Sequence, residues 1–273
     1  MVFISKIFTI NININKLYII YNIQMKYNYS PMRNTIIQVA EKAGVESVRY
    51  LILREEKIAN PHNIWINNNR FFGVTMITPP KEINNISIVR NPYARLVSGY
   101  IDKFLTGNYN HLPFCQNVKK HYNNRDDNLR VSFQELVNYI INQPKNELDV
   151  HFKPQYLQHK LMNNSIILKL ENINEINNHL TNLGFSNRLD NYRDKHLYRG
   201  KKVDIKNAHT LLYKDFDIAE NRENRENLYP KGCGGLGYQG AEVPKVENFY
   251  TKDLKDKVYN YYKEDFLEFK YSY

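Results

Sequence analysis

Apolar residues along this chain either run together or recur at helical spacing, and the two patterns alternate. Leu17-Tyr-Ile-Ile-Tyr-Asn-Ile23 is a mostly apolar run and predicts a first core strand. A loop, Gln24 to Tyr29, follows it. Ser30 before Pro31 predicts a helix start, because Ser suits the cap and Pro the first helical position. That helix would carry Ile36, Ile37, Val39 and Ala40 and stop at Gly44. Ser47 to Leu53 predicts another strand, and Ile86-Ser-Ile-Val89 a buried one rich in β-branched residues. Asn91-Pro92 opens a helix with Leu96, Val97, Tyr100 and Phe104 on one stripe, ending near Gly107. Ser132-Phe-Gln-Glu135 is a capping box for a helix that ends before Pro144. Ser165 to Leu170 predicts a strand, Ile173 to Leu183 a helix stopped by Gly184, and Thr251 the cap of a last helix. Strands alternating with helices predict an α/β fold with a central parallel sheet flanked by helices. Residues 1–16 read as an N-terminal extension and 17–273 as one domain.

Composition narrows this only in places. The 273 residues, 42% of them apolar, suffice for a real core. A net charge of +10 points to an anionic partner: a nucleotide, a sulfated or acidic glycan, a membrane surface or nucleic acid. The basic residues are scattered and no nucleic-acid-reading motif is present, so a nucleic-acid partner is not expected. The Ile- and Phe-rich first 24 residues are interrupted by Lys6, Lys16, Asn11, Asn13, Asn15 and Asn22. A spanning helix needs about 20 mostly apolar residues. Membrane association is therefore not favoured, and a cytoplasmic location is. Cys115 and Cys233 form no framework, and whether they pair stays open. No Cys/His cluster has metal-ligand spacing, so no metal is expected.

Arg90 stands where a predicted strand hands over to a helix, and Ser98 lies about two turns along that helix. At such an edge of an open parallel sheet ligands bind, and a guanidinium and a hydroxyl there suit a phosphate. By themselves the two residues read as a surface arginine and an ordinary helix serine. The whole phrase Val89-Arg-Asn-Pro-Tyr-x-Arg-Leu-Val-Ser-x-Tyr-x-x-Lys-Phe104 resembles the 3′-phosphate-binding segment of the sulfotransferases that use 3′-phosphoadenosine-5′-phosphosulfate (PAPS). The wording is nearest to Golgi carbohydrate sulfotransferases and their microbial relatives. The resemblance implies a P-loop NTPase-like three-layer fold, PAPS as sulfuryl donor, 3′,5′-adenosine bisphosphate (PAP) as product and a hydroxyl acceptor, expected to be that of a carbohydrate, so that the partner is a glycan. It leaves a Golgi-type membrane open as the location.

Two further phrases carry the resemblance. Met25-Lys-Tyr-Asn-Tyr-Ser-Pro-Met-Arg33 is similar to the family's 5′-phosphosulfate loop. It implies donor binding by Lys26, Tyr27, Asn28, Tyr29, Ser30, Pro31 and Met32, with Lys26 also catalytic and Arg33 entering the helix. Met25 departs from the usual proline, and Asn28 and Tyr29 from small residues, which leaves an inactive binder of a nucleotide or anionic glycan as the alternative. His151-Phe-x-Pro-Gln155 resembles a phrase in which some members use the histidine as base, so His151 takes that role, with Asp149 and His159 as neighbours of lesser claim. Glu171 reads as a charge favoured at a helix start. The cluster Lys231-Gly-Cys-Gly-Gly-Leu-Gly237 lacks a preceding strand and a Gly-Lys-Ser/Thr ending, and reads as a loop.

Overall fold

The computed structural model describes residues 28–30, 32–57, 83–105, 112–122, 131–159, 165–190, 201–211 and 242–273. The expected strand at 17–23, the glycine cluster at 231–237 and Cys233 lie outside them. Strand β1 (Asn28–Ser30) runs antiparallel to β2 (Thr35–Val39), and β3 (Asn84–Val89) and β4 (Ile166–Lys169) continue the sheet parallel to β2. The order is β1-β2-β3-β4. Helices α1 (Val45–Glu55), α2 (Pro92–Tyr100), α3 (Pro113–His121), α4 (Phe133–Ile141), α5 (Gln155–His159) and α6 (Ile173–Asn182) punctuate it. A small parallel pair, β5 (Lys201–Val203) and β6 (Glu242–Pro244), precedes α7 (Lys252–Tyr261) and α8 (Lys263–Glu268). The α/β architecture, with parallel strands flanked by helices, is as expected. No helix among the described residues is long and apolar enough to cross a membrane.

The first strand–helix unit corrects the sequence reading. The segment expected as a helix from Ser30-Pro31 to residue 43 is a turn at 32–34 followed by β2. Ile36, Ile37, Val39 and Ala40 are all buried, and an unbroken buried run suits a central strand. Ile37 pairs with Ile86, and Val39 with Ile88, which fixes the register. Conversely, the segment expected as a strand, Ser47 to Leu53, lies inside α1. Val45, Val48, Leu51, Ile52 and Glu55 recur at spacings of three and four and form its buried face. Gly44, read as a helix stop, is instead the residue that starts α1, at φ 98°. A Cβ there would also lie 3.2 Å from Leu170 Cδ1, so glycine serves both conformation and space.

Other boundaries agree with expectation. Asn91 caps α2, accepting from Tyr93 N at 2.9 Å, with Pro92 in the first turn. Ser132 and Glu135 form the capping box of α4. Thr251 caps α7. The helix that α2 begins continues as a π-helical turn, Ile101–Leu105.

Two apolar clusters hold these elements. Ile37, Ile86, Ile88 and Leu168 from one sheet face pack with Val48, Leu51 and Ile52 of α1 and with Ile176 and Leu180 of α6. The second is helical and joins α2, α4, α7 and α8 through Tyr93, Tyr100, Phe133, Val258 and Phe266. Cys115 belongs to it as a buried free thiol, and burial pushes its pKa up to about 12.

Glu55 closes the far end of α1, its side chain 1% exposed. Arg33 Nη2 donates to it at 2.5 Å, Ser186 N at 2.9 Å and Asn187 Nδ2 at 3.0 Å. Burial pushes its pKa up, but donors from Asn187, Ser186 and Arg33 outweigh that and hold it at about 2, below its ordinary 4.5. The folded value is the lower one, so this carboxylate contributes stability above pH 4.5 that is lost as pH falls toward about 2. Urea unfolding of Glu55→Gln across that window should show lower stability at neutral pH and a flatter acid limb than the parent. Parallel acid limbs would contradict this.

Candidate active site

The carboxyl ends of β2, β3 and β4 share one sheet edge: Val39 is in register with Ile88, and Val89 with Lys169. Three connections meet there. The first is the β2–α1 loop, residues 40–44, in which Lys42 adopts φ 67° and Gly44 φ 98°. Among the described residues no side chain caps α1, so its first-turn N–H groups lack that satisfaction there. Ser47, buried, sits in this first turn.

The second connection is Arg90-Asn91. Its backbone is gripped on both sides by Gln155: Arg90 N donates to Gln155 Oε1 at 2.9 Å, and Gln155 Nε2 donates to Arg90 O at 2.8 Å. Asn91 N donates to Glu171 Oε1 at 2.9 Å, whose other oxygen accepts from the Tyr271 hydroxyl, also at 2.9 Å. Gln155 is itself anchored. Asp265, fully buried, accepts from Gln155 N at 2.9 Å and Tyr156 N at 2.8 Å. Burial pushes the Asp265 pKa up, partly offset by those N–H groups. The Arg90 side chain turns to the first loop, with Nη1 donating to Lys42 O at 2.9 Å.

The third connection carries His151. Its Nδ1 lies 2.5 Å from Asp149 Oδ1, and its backbone N donates to the same oxygen at 2.9 Å. Burial pushes Asp149 up, but the His151 hydrogen bond and charge pull its pKa lower, so it is a carboxylate and can only accept. Nδ1 therefore carries the proton, and in the neutral ring Nε2 is the acceptor. That Nε2 lies 4.0 Å from Glu41 Oε2 on the first loop. Arg95, buried on α2, ties the same parts together: Nε donates to Glu41 O at 2.8 Å and Nη2 to Val150 O at 3.1 Å. Burial pulls the Arg95 pKa down, opposed by the charges of Asp265, Glu41 and Asp149.

Between residues 92 and 104 only Ala94, Ser98 and Asp102 are partly exposed. They recur every fourth residue and so share one helix face. Asp102 is hydrogen-bonded to Lys42 Nζ, which directs that face to the loop. Ser98 lies one turn before Asp102.

Arg90, Ser98 and His151 thus belong to elements that meet at this edge. Lys26, Tyr27 and Pro31 lie outside the described residues. Asn28, Tyr29, Ser30 and Met32 do not belong to this edge. Ser30 pairs with Thr35, the first residue of β2, and its hydroxyl donates to Glu56 at 2.5 Å, as does Met32 N at 3.2 Å. Ser30 and Met32 sit at the C-terminal end of α1, at the opposite sheet edge, whereas Asn28 lies opposite Ile37 in mid-strand, its Nδ2 donating to Ile37 O at 3.1 Å. The helix start expected at Ser30 is therefore corrected: the turn from strand to helix begins at residue 40, after β2. Arg33, expected to enter that helix, pairs with Glu55. His159 is buried and held neutral, its pKa pulled down to about 3 by burial and by Arg95. In sequence Glu171 reads only as a helix-start charge, and Gln155 and Asp265 carry no role of their own, because what they do depends on partners distant in sequence.

Residues 55–272 match the model of the sulfotransferase family. The chain belongs to this family. No curated protein and no solved structure matches it. The matched sulfotransferase region includes the Arg90 turn, His151, Gln155 and Glu171, and begins at the last residue of α1. The 40–44 loop precedes it, so its place at the site rests on the structure alone. Family membership supports sulfuryl transfer in general and implies an acceptor substrate. Among the described residues, no group of three or more His, Cys, Asp or Glu side chains is arranged for a metal ion.

Proposed function

We propose that this sulfotransferase moves a sulfuryl group from PAPS to a hydroxyl of a carbohydrate. The observation that carries the reading is the junction of the 40–44 loop, the Arg90 turn and the His151 turn at one sheet edge, through Arg90 Nη1 to Lys42 O and Arg95 to Glu41 and Val150. Arg90 and Ser98 suit the donor's 3′-phosphate, as a forked cation and a hydroxyl. The uncapped start of α1, with Lys42 and Ser47, suits its 5′ end. The role first given to Lys26 and Ser30 is thus assigned to Lys42 and Ser47.

In the reaction the acceptor oxygen forms a bond to sulfur while the bond from sulfur to the phosphate oxygen breaks. His151 Nε2 takes the acceptor's proton, and Asp149 stabilises the imidazolium formed. The phosphate leaves with the electron pair, and the Lys42 ammonium offsets its growing charge. The carbohydrate acceptor rests on likeness to carbohydrate sulfotransferases and on the net charge of +10, which suits an acidic glycan. Asn28 and Tyr29, whose bulk suggests an inactive binder, pair as part of β1 with Ile37 and Ile36 of β2 and are not part of the 40–44 loop.

Calorimetric titration with PAP, followed by transfer from radiolabelled PAPS to a glycan panel, tests the proposal. PAP binding and label on a glycan are expected. Binding without transfer to any acceptor would favour the inactive binder, and absence of PAP binding would remove the donor assignment.

A further inference from the structure

Lys42 and Lys103 meet on a single oxygen. Lys42 Nζ is hydrogen-bonded to Asp102 Oδ2, and Lys103 Nζ lies 3.0 Å from the same atom. The Lys103 side chain is 3% exposed, whereas those of Lys42 and Asp102 are 19% and 20% exposed. Lys103 therefore lies behind the carboxylate and Lys42 in front, toward the loop. The π-helical turn at Ile101–Leu105 carries both Asp102 and Lys103. Such turns widen a helix locally and recur at functional sites.

We propose that Asp102 is a positioning residue that holds the Lys42 ammonium at the mouth of the 40–44 loop, with Lys103 fixing Asp102 from behind. This rests on the reading of Lys42 as the cation for the donor's 5′ end. Two arguments favour positioning over a purely structural pair. First, the buried Lys103 already has Asp102 opposing the downward pull of burial on its pKa, so a structural pair would not call for Lys42. Lys42, sixty residues away in sequence, is recruited to that oxygen although its long side chain loses rotamer freedom there. Second, two ammoniums share the one Asp102 oxygen, and Asp149 also acts on Lys103 from behind, so neither pairing is exclusive. Lys42 is restrained without being neutralised, and an ammonium has three donors, so it can keep Asp102 and still meet a phosphate.

The test uses the full chain and two readouts. Acetic anhydride labelling of Lys42, followed by peptide mass spectrometry without nucleotide, reports the Asp102 contact alone. PAP titration reports its consequence. In Asp102→Asn, Lys42 should label several-fold faster, and PAP should bind about tenfold more weakly. In a Lys42→Met background the same substitution should cost no further affinity. Because Asp102→Asn strands a buried lysine, Asp102→Asn/Lys103→Met repeats both measurements with that charge removed and should give the same result. Unchanged labelling, or an equal loss of affinity in the Lys42→Met background, would overturn the proposal. Faster labelling in a parent chain that does not bind PAP would support the Asp102 contact and remove the nucleotide reading instead.

Discussion

Arg90→Ala is expected to weaken PAP binding by about 100-fold, on the order of 3 kcal/mol, while leaving the fold intact. The size follows from the chemistry of a forked cation on a phosphate, where each charge-assisted hydrogen bond is stronger than a neutral one. Retention of the fold follows from how the turn is held. Gln155 and Glu171 grip the main chain at Arg90 and Asn91, and neither contact uses the Arg90 side chain. The substitution does remove the Nη1 bond to Lys42 O, so the 40–44 loop loses one tether. Arg95 keeps the other, at Glu41 O. Arg90→Lys separates charge from geometry: it retains the cation and loses the fork, and should recover only part of the affinity. Calorimetry on the three proteins, with melting temperatures alongside, checks the ordering. Equal PAP affinity for all three would place the 3′-phosphate elsewhere.

The parts of the site that were legible in sequence are those whose signals are local. Asn91-Pro92 is a cap followed by a first-turn proline, and both act within one turn, so the position of Arg90 at a strand-to-helix turn could be read directly. Ser132 with Glu135 is equally local. The β2–α1 unit was not legible for the opposite reason. Ile36, Ile37, Val39 and Ala40 satisfy a helical stripe and a buried strand alike. What decides between them is pairing with Ile86 and Ile88, some fifty residues on. Gly44 adds to the ambiguity, since a glycine at positive φ serves the stop of one helix or the entry to another. With that unit read as a helix, the strand-to-helix turn that suits a phosphate falls at Lys26 rather than at Lys42. Asp265 shows the same limit from another side. In sequence it is one charge on a C-terminal amphipathic helix. In the fold it accepts two backbone N–H groups about 110 residues away and thereby supports Gln155 and the Arg90 turn.

His151→Ala should lower kcat by about 10²–10⁴-fold, the usual contribution of a general base, and leave PAP affinity near the parent value. The separation is expected because the histidine is read as meeting the acceptor and not the nucleotide. Asp149 permits a finer test. Its Oδ1 accepts from both the backbone N and Nδ1 of His151, so Asp149→Asn can keep both bonds through its amide oxygen and lose only the charge. The orientation and tautomer of the ring then survive, and the missing term is stabilisation of the imidazolium. Hydrogen bonds to charged groups exceed neutral ones by about 1 kcal/mol, so kcat should fall roughly tenfold or less. Asp149→Ala removes orientation as well and should approach the loss seen for His151→Ala. Single-turnover transfer rates for the three variants give the ranking. If Asp149→Asn loses as much as His151→Ala, the charge itself governs the base. If Asp149→Ala loses nothing, the pair is structural and another group takes the acceptor's proton.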